Sequence, residues 1–563
     1  MTTAGHKPRR IPDREYSPSR KVHDPMATSV TTRASGAPSA PDAPVTARRS
    51  WFRSSAPTLV FIGRRLLSSA AVLLGATFIV YMLLAYALDP LEDLRQSTAP
   101  NKESLIEART RQLDLDTPPV IRYFKWLGGL FTGNLGVAYK SGQTVTSMLG
   151  NALPNTVQLV ALSIVIAIGL GVLVGIVSAL RQYTRFDYSV TFLSFVLYSL
   201  PAFWVAVLLK LWGAIGFNDF LADPHIPPLV MVIVTLVSGV IWSSVIGGST
   251  RARWISFAAS AVATVGLLFF FSETNWLLDP SLGIAGVLII GVGIAFAVVA
   301  LTAGVQNRRV LYASLVMVAI GAALYYPLQY AFVHGSWLLM LGLIVTVVIV
   351  GIVVAKLFGG WEVSQTARAA IITGIGVGVL IFIDRVMQVW LAYTNASQIN
   401  HRPIATIGSK TPGLTGDFWV TTLDTFTHLL LPTIALILIS FASYTRYSRA
   451  SLLEVMNQDY IRTARAKGLP ERVVTMRHAF RNALIPLATV VPLDIAALFG
   501  GAIITERVFA IPGMGTMFIK ALGESDPAPV MGYFLVTGAL LVIASLLVDF
   551  IYAALDPRIR VNS

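Results

Sequence analysis

A polar segment between two long apolar runs carries the side chains best suited to bind another protein. Its charged positions, which should stay in water, are Asp459, Arg462, Arg465 and Lys467. Its apolar positions, which recur at helical spacing, are Leu453, Met456, Tyr460 and Ala464. Gly468 favours a left-handed helix C-cap, and Pro470 favours the first turn of a new helix. The pattern predicts two short helices that meet at a Gly-Leu-Pro corner, and we call residues 447–483 the elbow.

The sequence offers no nucleotide-binding or catalytic pattern. A phosphate-binding loop needs a glycine directly before Lys-Ser or Lys-Thr, whereas Lys140-Ser141 follows Tyr139. No His and Glu spacing typical of a metal site occurs, and no nucleophile stands beside a base. The absence of cysteine excludes disulfides and thiolate ligands. We therefore predict no catalytic residue, no metal and no cofactor in this chain, and we expect it not to be an enzyme.

One acidic residue, Asp494, falls near the middle of the apolar run after the elbow. An ionisable side chain at the centre of a membrane costs about 2.5–3.5 kcal/mol to insert unless it faces a cavity or a partner. Asp494 therefore either lines a path across the membrane or makes a structural hydrogen bond. The residues leave both interpretations open.

Membrane-spanning helices must position these groups. Of the 563 residues, 55% are hydrophobic and 13% are charged, against about 25% charged residues in a soluble domain. Long apolar runs indicate helices and not the short alternating strands of a barrel. The net charge of +14 fits basic loops that face anionic lipid, which makes nucleic acid a poor explanation.

Twelve apolar stretches have about the 20 residues needed to cross a bilayer core. They lie near 66–88, 156–180, 189–214, 228–248, 254–272, 282–304, 309–333, 337–358, 368–393, 427–446, 484–504 and 530–555. If the N-terminus is cytoplasmic, the inner loops are basic, as at Arg181 and Arg308, and the outer loops carry acidic residues such as Asp219. The positive-inside rule therefore predicts that both termini are cytoplasmic.

Two polar segments flank the first span. Residues 1–56 are rich in Pro, Ser, Thr, Ala and Arg and lack apolar periodicity, which predicts a disordered cytoplasmic tail. Either Met1 or Met26 is compatible with the start of the chain. Residues 89–155 form a long polar outer segment, which we expect to carry short helices near 123–131.

Short motifs recur along the chain in a fixed order. They are RRLL at 64–67 and LDTP at 115–118, GNLG at 133–136 and LPNT at 153–156, DYIRTARAKGL at 459–469 and RHAFRNALIP at 477–486, then ERVF at 506–509, IPGMG at 511–515 and LDPRIR at 555–560. In this order they resemble the inner-membrane permease subunits of bacterial dipeptide and oligopeptide ABC importers, the binding-protein-dependent transport permease family. The resemblance covers about 60–214 and 420–560.

The resemblance implies an all-α polytopic membrane protein in the bacterial plasma membrane. It implies a type I ABC importer permease core of about six transmembrane helices, with about six inserted helices. The expected divisions are the tail 1–56, the first core half 57–214, the inserted block 215–395 and the second core half 396–563. The role of the inserted block is open.

The elbow resembles the loop through which such permeases couple to cytoplasmic ATPases. The coupling residues that the resemblance implies are Asp459, Arg462, Thr463, Ala464, Arg465, Lys467, Gly468, Glu471 and His478. Arg462-Thr463-Ala464 stand where other ABC importers have Glu-Ala-Ala, which favours peptide importers over sugar importers. The alternative interpretation of the elbow is a basic surface loop that touches anionic lipid headgroups.

The segment that follows the apolar run of Asp494 also resembles the family. The resemblance implies an outer gate or a docking region at Glu506 and Pro512-Gly513, and the alternative is a tight structural turn. On the same resemblance, Asp494 could meet the amino terminus of a transported peptide.

The expected function is a permease subunit of an ATP-driven importer of dipeptides or oligopeptides. The implied partners are a second, homologous permease in a heterodimer, two cytoplasmic ATPases that bind ATP and Mg²⁺, and an extracytoplasmic solute-binding protein. Nickel chelates or sugars are alternative substrates. A stand-alone secondary transporter and a membrane scaffold are alternatives of other classes, although no internal repeat favours the first.

Overall fold

The computed structural model describes residues 56–274, 276–304 and 306–555, so the predicted tail and the DPRIR motif lie outside the described residues apart from Ala56. Within those ranges, 11 helices are long and apolar enough to cross a membrane, or 12 if one bent pair counts as a span. The same ranges contain no strand, only one isolated bridge between Val137 and Thr144. The predicted all-α polytopic membrane architecture is confirmed.

The first part of the chain combines a span, an outer segment and two long helical regions. Its helices are α1 (Ala56–Ala87), α2 (Glu92–Arg95), α3 (Lys102–Gln112), α4 (Pro119–Phe131), α5 (Val145–Leu180), α6 (Arg185–Ser199), α7 (Ala202–Leu208) and α8 (Phe217–Ala222), with a π-helical stretch at Leu209–Gly216. Tyr123 fixes α4 to α1, because its hydroxyl lies 3.1 Å from the Thr77 hydroxyl and donates to the Leu74 carbonyl at 3.0 Å. The short helix expected near 123–131 is confirmed.

The span predicted at 189–214 was wrong as one continuous helix. Leu200 is extended, with ψ 130°, because a following proline disfavours the helical conformation. Pro201 has no N–H with which to continue the hydrogen bonds of α6. The membrane-length helix in this region is therefore Ala202–Ala222.

The second span begins earlier than predicted. α5 starts at Val145 and not near 156, because the Thr144 side chain accepts a hydrogen bond from the Ser147 N–H and caps the helix. Val145 and Leu149 are buried, so the end of the expected outer segment belongs to the packed helical core.

The middle of the chain adds six apolar crossings among its described residues. They are formed by α9 (Pro228–Ile246), α10 (Thr250–Glu273), α11 (Gly283–Thr302), α12 (Arg308–Ala323) with α13 (Tyr325–Ala331), α14 (Trp337–Phe358) and α15 (Val363–Thr394). The span predicted at 309–333 is bent by 51° at its break. α11, α12, α14 and α15 pack as a bundle around Met317, Val318 and Val377, whereas α9 and α10 pack mainly on each other.

The last part of the chain contains the elbow and the final spans. Its helices are α16 (Phe418–Met456), α17 (Asp459–Ala466), α18 (Glu471–Val473), α19 (Phe480–Gly501), α20 (Ile503–Val508), α21 (Met514–Gly523) and α22 (Pro527–Leu555), with a π-helical stretch at Val474–Ala479. α16 runs along α5 at close range. A Cβ on Gly171 would lie 2.6 Å from the Cβ of Tyr444, so the missing side chain permits this approach.

Contacts between distant segments indicate that the chain crosses the membrane an even number of times between α8 and α16. Arg65 near the start of α1 pairs with Asp549 near the end of α22, which puts these two helix ends on the same side of the membrane. On the opposite side, Arg402 after α15 pairs with Asp219 of α8 at 2.8 Å. The six crossings between them therefore return the chain to the side from which it started, and that they are an insertion into a six-helix core stays a prediction. That the first side is cytoplasmic stays a prediction.

The connection between α15 and α16 is bonded to the surrounding helices. The Asn218 side chain donates to the Ile404 carbonyl at 2.8 Å and accepts from the Ile404 N–H at 3.0 Å. The Gly408 N–H donates to the Phe509 carbonyl at 2.8 Å. The middle bundle is thus joined to the segment between α20 and α21.

Candidate functional site

The elbow is built on a left-handed glycine turn. Gly468 has φ +74°, its N–H donates to the Arg465 carbonyl at 2.9 Å, and the Leu469 N–H donates to the Ala464 carbonyl at 3.4 Å. This pair of bonds is a Schellman C-cap, which glycine favours because it has no Cβ to clash at positive φ. The predicted left-handed C-cap at Gly468 is confirmed.

An ion pair spans the corner of the elbow. Arg465 of α17 donates two hydrogen bonds to Glu471 of α18, at 3.1 Å from Nε and 2.7 Å from a terminal nitrogen. The Arg465 guanidinium lowers the pKa of the Glu471 carboxyl from its usual value. Both side chains are exposed, so the pair adds little stability, but its two-pronged geometry fixes the angle between the short helices.

The elbow helix α17 has one buried and one exposed face. Ile461 and Ala464 are buried against Leu452, Val474 and Ala479. Tyr460, expected on the apolar face, is instead 43% exposed. The helix is interrupted between α16, which ends at Met456, and α17, which begins at Asp459. Met456 and Tyr460 therefore do not lie on the same face of one helix.

Most of the predicted coupling residues are exposed in the structure. The exposed members are Asp459, Arg462, Thr463, Arg465, Lys467, Gly468 and Glu471. Ala464 is buried and packs the helix in place, and His478 is half-buried in the π-helical stretch. Their role in coupling stays a prediction.

Glu506 is fully buried in α20, at the end of the span that contains Asp494. Its carboxylate accepts from the Thr156 hydroxyl at 2.6 Å and from the Thr516 N–H at 3.1 Å. The Thr156 hydroxyl in turn accepts from the Met514 N–H at 2.9 Å. Glu506 therefore occupies the N-terminal end of α21, where unpaired N–H groups favour a carboxylate.

Two glycines make this arrangement possible. A Cβ on Gly513 would lie 2.6 Å from Oε2 of Glu506 and closer still to Oε1, and a Cβ on Gly515 would lie 2.6 Å from the Ile503 Cα. The Pro512 carbonyl also accepts from the Asn155 side chain at 3.0 Å. We call Thr156, Glu506, Gly513 and Thr516 the outer lock, because they join α5, α20 and α21. A gate function for this turn stays a prediction.

Asp494 is half-buried on α19 and faces Tyr444 of α16. Tyr444 is 1% exposed, and its hydroxyl has no hydrogen bond of normal geometry to any described residue. Two polar groups therefore meet between α16 and α19 within the apolar spans. Both predicted roles of Asp494, in the path or in a structural contact, are compatible with this position.

An ion pair between the buried Asp187 and the half-buried Arg449, at the start of the elbow, was not predicted from the sequence. Arg449 of α16 donates to Asp187 of α6 at 2.7 and 2.9 Å, and the Ser178 hydroxyl and the Tyr183 N–H also donate to this carboxylate at 2.5 and 3.1 Å. The neighbouring Arg449 guanidinium lowers the pKa of Asp187 from 3.8 to about 2. The available signal was a single aspartate in the basic segment RQYTRFD at residues 181–187, but sequence alone does not select its partner among the many arginines.

Comparison with known proteins identifies relatives over most of the chain. Residues 314–561 match the family described as binding-protein-dependent transport system inner membrane component. The oligopeptide transport system permease protein OppB of Mycobacterium tuberculosis is 25% identical over 502 residues, which are 89% of this chain and 99% of OppB. The corresponding permease AppB of Bacillus subtilis is 23% identical over 505 residues, with the same coverage of 89% and 99%.

A shorter match has a higher sequence identity. The dipeptide transport system permease protein DppB of Escherichia coli is 44% identical over 138 residues, which are 24% of this chain and 41% of DppB. The matches agree with the membrane-length helices of the structure. Over residues 314–561 the chain is similar to the inner membrane components of binding-protein-dependent transport systems, and over most of its length it is similar to the permeases OppB and AppB.

Proposed function

We propose that this protein is the permease subunit of an ATP-driven importer of dipeptides or oligopeptides. It forms half of the path across the plasma membrane and pairs with a second, homologous permease. An extracytoplasmic binding protein delivers the peptide to the outer side, and two cytoplasmic ATPases bind ATP and Mg²⁺. The peptide class comes from the names of the relatives OppB, AppB and DppB.

The observation that carries this proposal is the geometry of the elbow. A short helix with an exposed charged face is held at a fixed angle by the Gly468 cap and the Arg465–Glu471 pair. Its buried face packs against the end of α16 and the start of the π-helical stretch. A rigid projection of this kind can transmit a rigid-body displacement from a bound protein to the spans. A loop that only touched lipid would need positive charge but not this fixed angle.

The test is to change Gly468 in the assembled transporter. Gly468→Pro fixes φ near −65° and removes the N–H that donates to Arg465, so the corner must rearrange. We expect ATP hydrolysis without uptake of labelled dialanine or tetra-alanine in proteoliposomes, while the amount of inserted permease stays normal. Gly468→Asn is the matched control, because asparagine tolerates positive φ and no atom lies within 4 Å of a Cβ at this position.

Three results would separate the alternatives. Normal uptake by Gly468→Pro would show that the elbow is not the coupling element. Uptake of a nickel chelate or a sugar instead of both peptides would change the substrate class. Uptake by the permease alone, driven by an ion gradient, would support a secondary transporter.

A further inference from the structure

The short helix α6 is fixed to α16 at both of its ends. In its first turn, Asp187 is 2% exposed and receives the bidentate bonds of Arg449. Toward its last turn, the Arg446 guanidinium lies 4.2 Å from the Tyr198 ring centre and 5.5 Å from that of Phe195. We call Asp187, Arg446 and Arg449 the α6–α16 clamp.

The clamp overlaps the start of the elbow, since Arg449 lies within residues 447–483 and Arg446 directly precedes them. Arg446 and Arg449 are one helical turn apart on α16, which ends at Met456 just before α17 begins. The hydroxyl of Ser451, between Arg449 and α17, donates to the Ala483 carbonyl at 2.7 Å. The end of α16, the short elbow helices and the start of α19 therefore pack as one unit. The clamp attaches α6 to this unit.

The other end of α6 leads to the break at Pro201. There the chain leaves the helix at Leu200 and continues into α7 and the π-helical stretch. Lys210 of that stretch donates to the Val508 carbonyl at 2.8 Å, two residues beyond Glu506 of the outer lock. A displacement of α6 can thus reach the outer lock through a short chain of contacts.

We propose that the α6–α16 clamp positions α6 so that it moves together with the elbow and carries the displacement to the broken span at Pro201. The inference deepens the proposed function and rests on it. Asp187 and Arg449 are positioning residues, since neither has to touch peptide or ATPase. The bidentate pair suits this role because the two bonds from Arg449 resist rotation of α6 against α16, while the bonds from Ser178 and Tyr183 hold the carboxylate in place.

Transport by the complete transporter, purified with its ATPases, gives the first test. Asp187→Asn and Arg449→Lys should raise the ATP hydrolysed per imported dialanine at least tenfold, with the same amount of ATPase co-purified. Asp187→Glu keeps the carboxylate and should stay within twofold of the wild-type ratio. The matched control is Arg95→Lys, which changes the exposed outer pair of Arg95 and Asp89 and should alter nothing. An unchanged ratio in Asp187→Asn, with uptake and hydrolysis falling together, would overturn the proposal.

A second measurement does not depend on transport. The chain has no cysteine, so spin labels can be placed at Ala466→Cys on α17 and Tyr188→Cys on α6, both exposed positions. Pulsed resonance should give one narrow distance distribution in the otherwise wild-type chain and a broader one in Asp187→Asn. Equal distributions would refute the clamp even if peptide import is confirmed. A broadened distribution in a protein that imports no peptide would refute the proposed function while leaving the clamp intact.

Discussion

Replacing one glycine of the outer lock should unfold the turn that it supports. In Gly513→Ala, the new Cβ would overlap the Glu506 carboxyl group, and the backbone on the other side is fixed by the first turn of α21. The carboxylate must therefore leave the Thr156 hydroxyl and the Thr516 N–H. Hydrogen bonds to a charged group contribute about 1.5–3 kcal/mol each, so the expected cost is about 3–6 kcal/mol. This is a large share of the roughly 5–15 kcal/mol that stabilises a typical protein.

The assay is thermal unfolding of the purified protein in detergent, compared across a double-mutant cycle. Gly513→Ala should lower the unfolding midpoint strongly, whereas Gly523→Ala, at the other end of α21 with no atom within 4 Å of its Cβ, should leave it unchanged. Glu506→Ala should also be destabilising, because Thr156 and Thr516 lose their acceptor. Since the clash vanishes without the carboxylate, the double variant should be no less stable than Glu506→Ala alone. If the double variant lost as much stability as the two single variants combined, the contact between residue 513 and Glu506 would not be the cause of the loss.

The remaining predictions concern the clamp and the helix pair beneath it. Because Arg449 lowers the Asp187 pKa from 3.8 to about 2, the carboxylate stabilises the fold above pH 3.8, and this contribution, about 2 kcal/mol, is lost as the pH falls from about 4 to 2. Proteolysis of detergent-solubilised protein across this range should therefore show a steeper acid dependence for wild type than for Asp187→Asn, and equal profiles would contradict the assignment. Gly175→Ala should cost about 1–3 kcal/mol, because its Cβ would lie 2.5 Å from the Thr445 carbonyl oxygen and push α5 from α16. Gly169→Ala, with open space around it, should unfold at the wild-type midpoint, and a similar loss in both variants would exclude close packing as the cause.

Much of the fold follows from hydrophobic run length and loop charge. Each predicted span has a helical counterpart, because about 20 apolar residues without charge have few alternatives to crossing a bilayer. The errors fall where a local signal competes with hydropathy. Pro201 interrupts an apolar run that a window average treats as uniform, and Thr144 starts a helix inside a segment that is polar on average.

The candidate site was predictable only where its geometry is local. Gly468 and Pro470 specify the elbow corner because a positive φ and a helix start depend on neighbouring residues. The Asp187–Arg449 pair joins residues 262 positions apart, and no periodicity selects one arginine among several. Glu506 was expected at a turn, but its burial depends on Thr156, 350 positions earlier.

The bonds between the α15–α16 connection and the core have a consequence for the permeability of the resting membrane. The turn after α20 can open in two ways. Either the bond from the Gly408 N–H to the Phe509 carbonyl breaks, or the α15–α16 connection moves with the turn and the two Asn218–Ile404 bonds break. The first route costs one hydrogen bond and the second costs two, so at about 1 kcal/mol each the population of an opened turn would fall roughly 5- to 30-fold. If the turn is the outer gate that the resemblance implies, the α15–α16 connection helps to hold it closed, and a chain without the middle bundle should leak ions more readily between transport cycles.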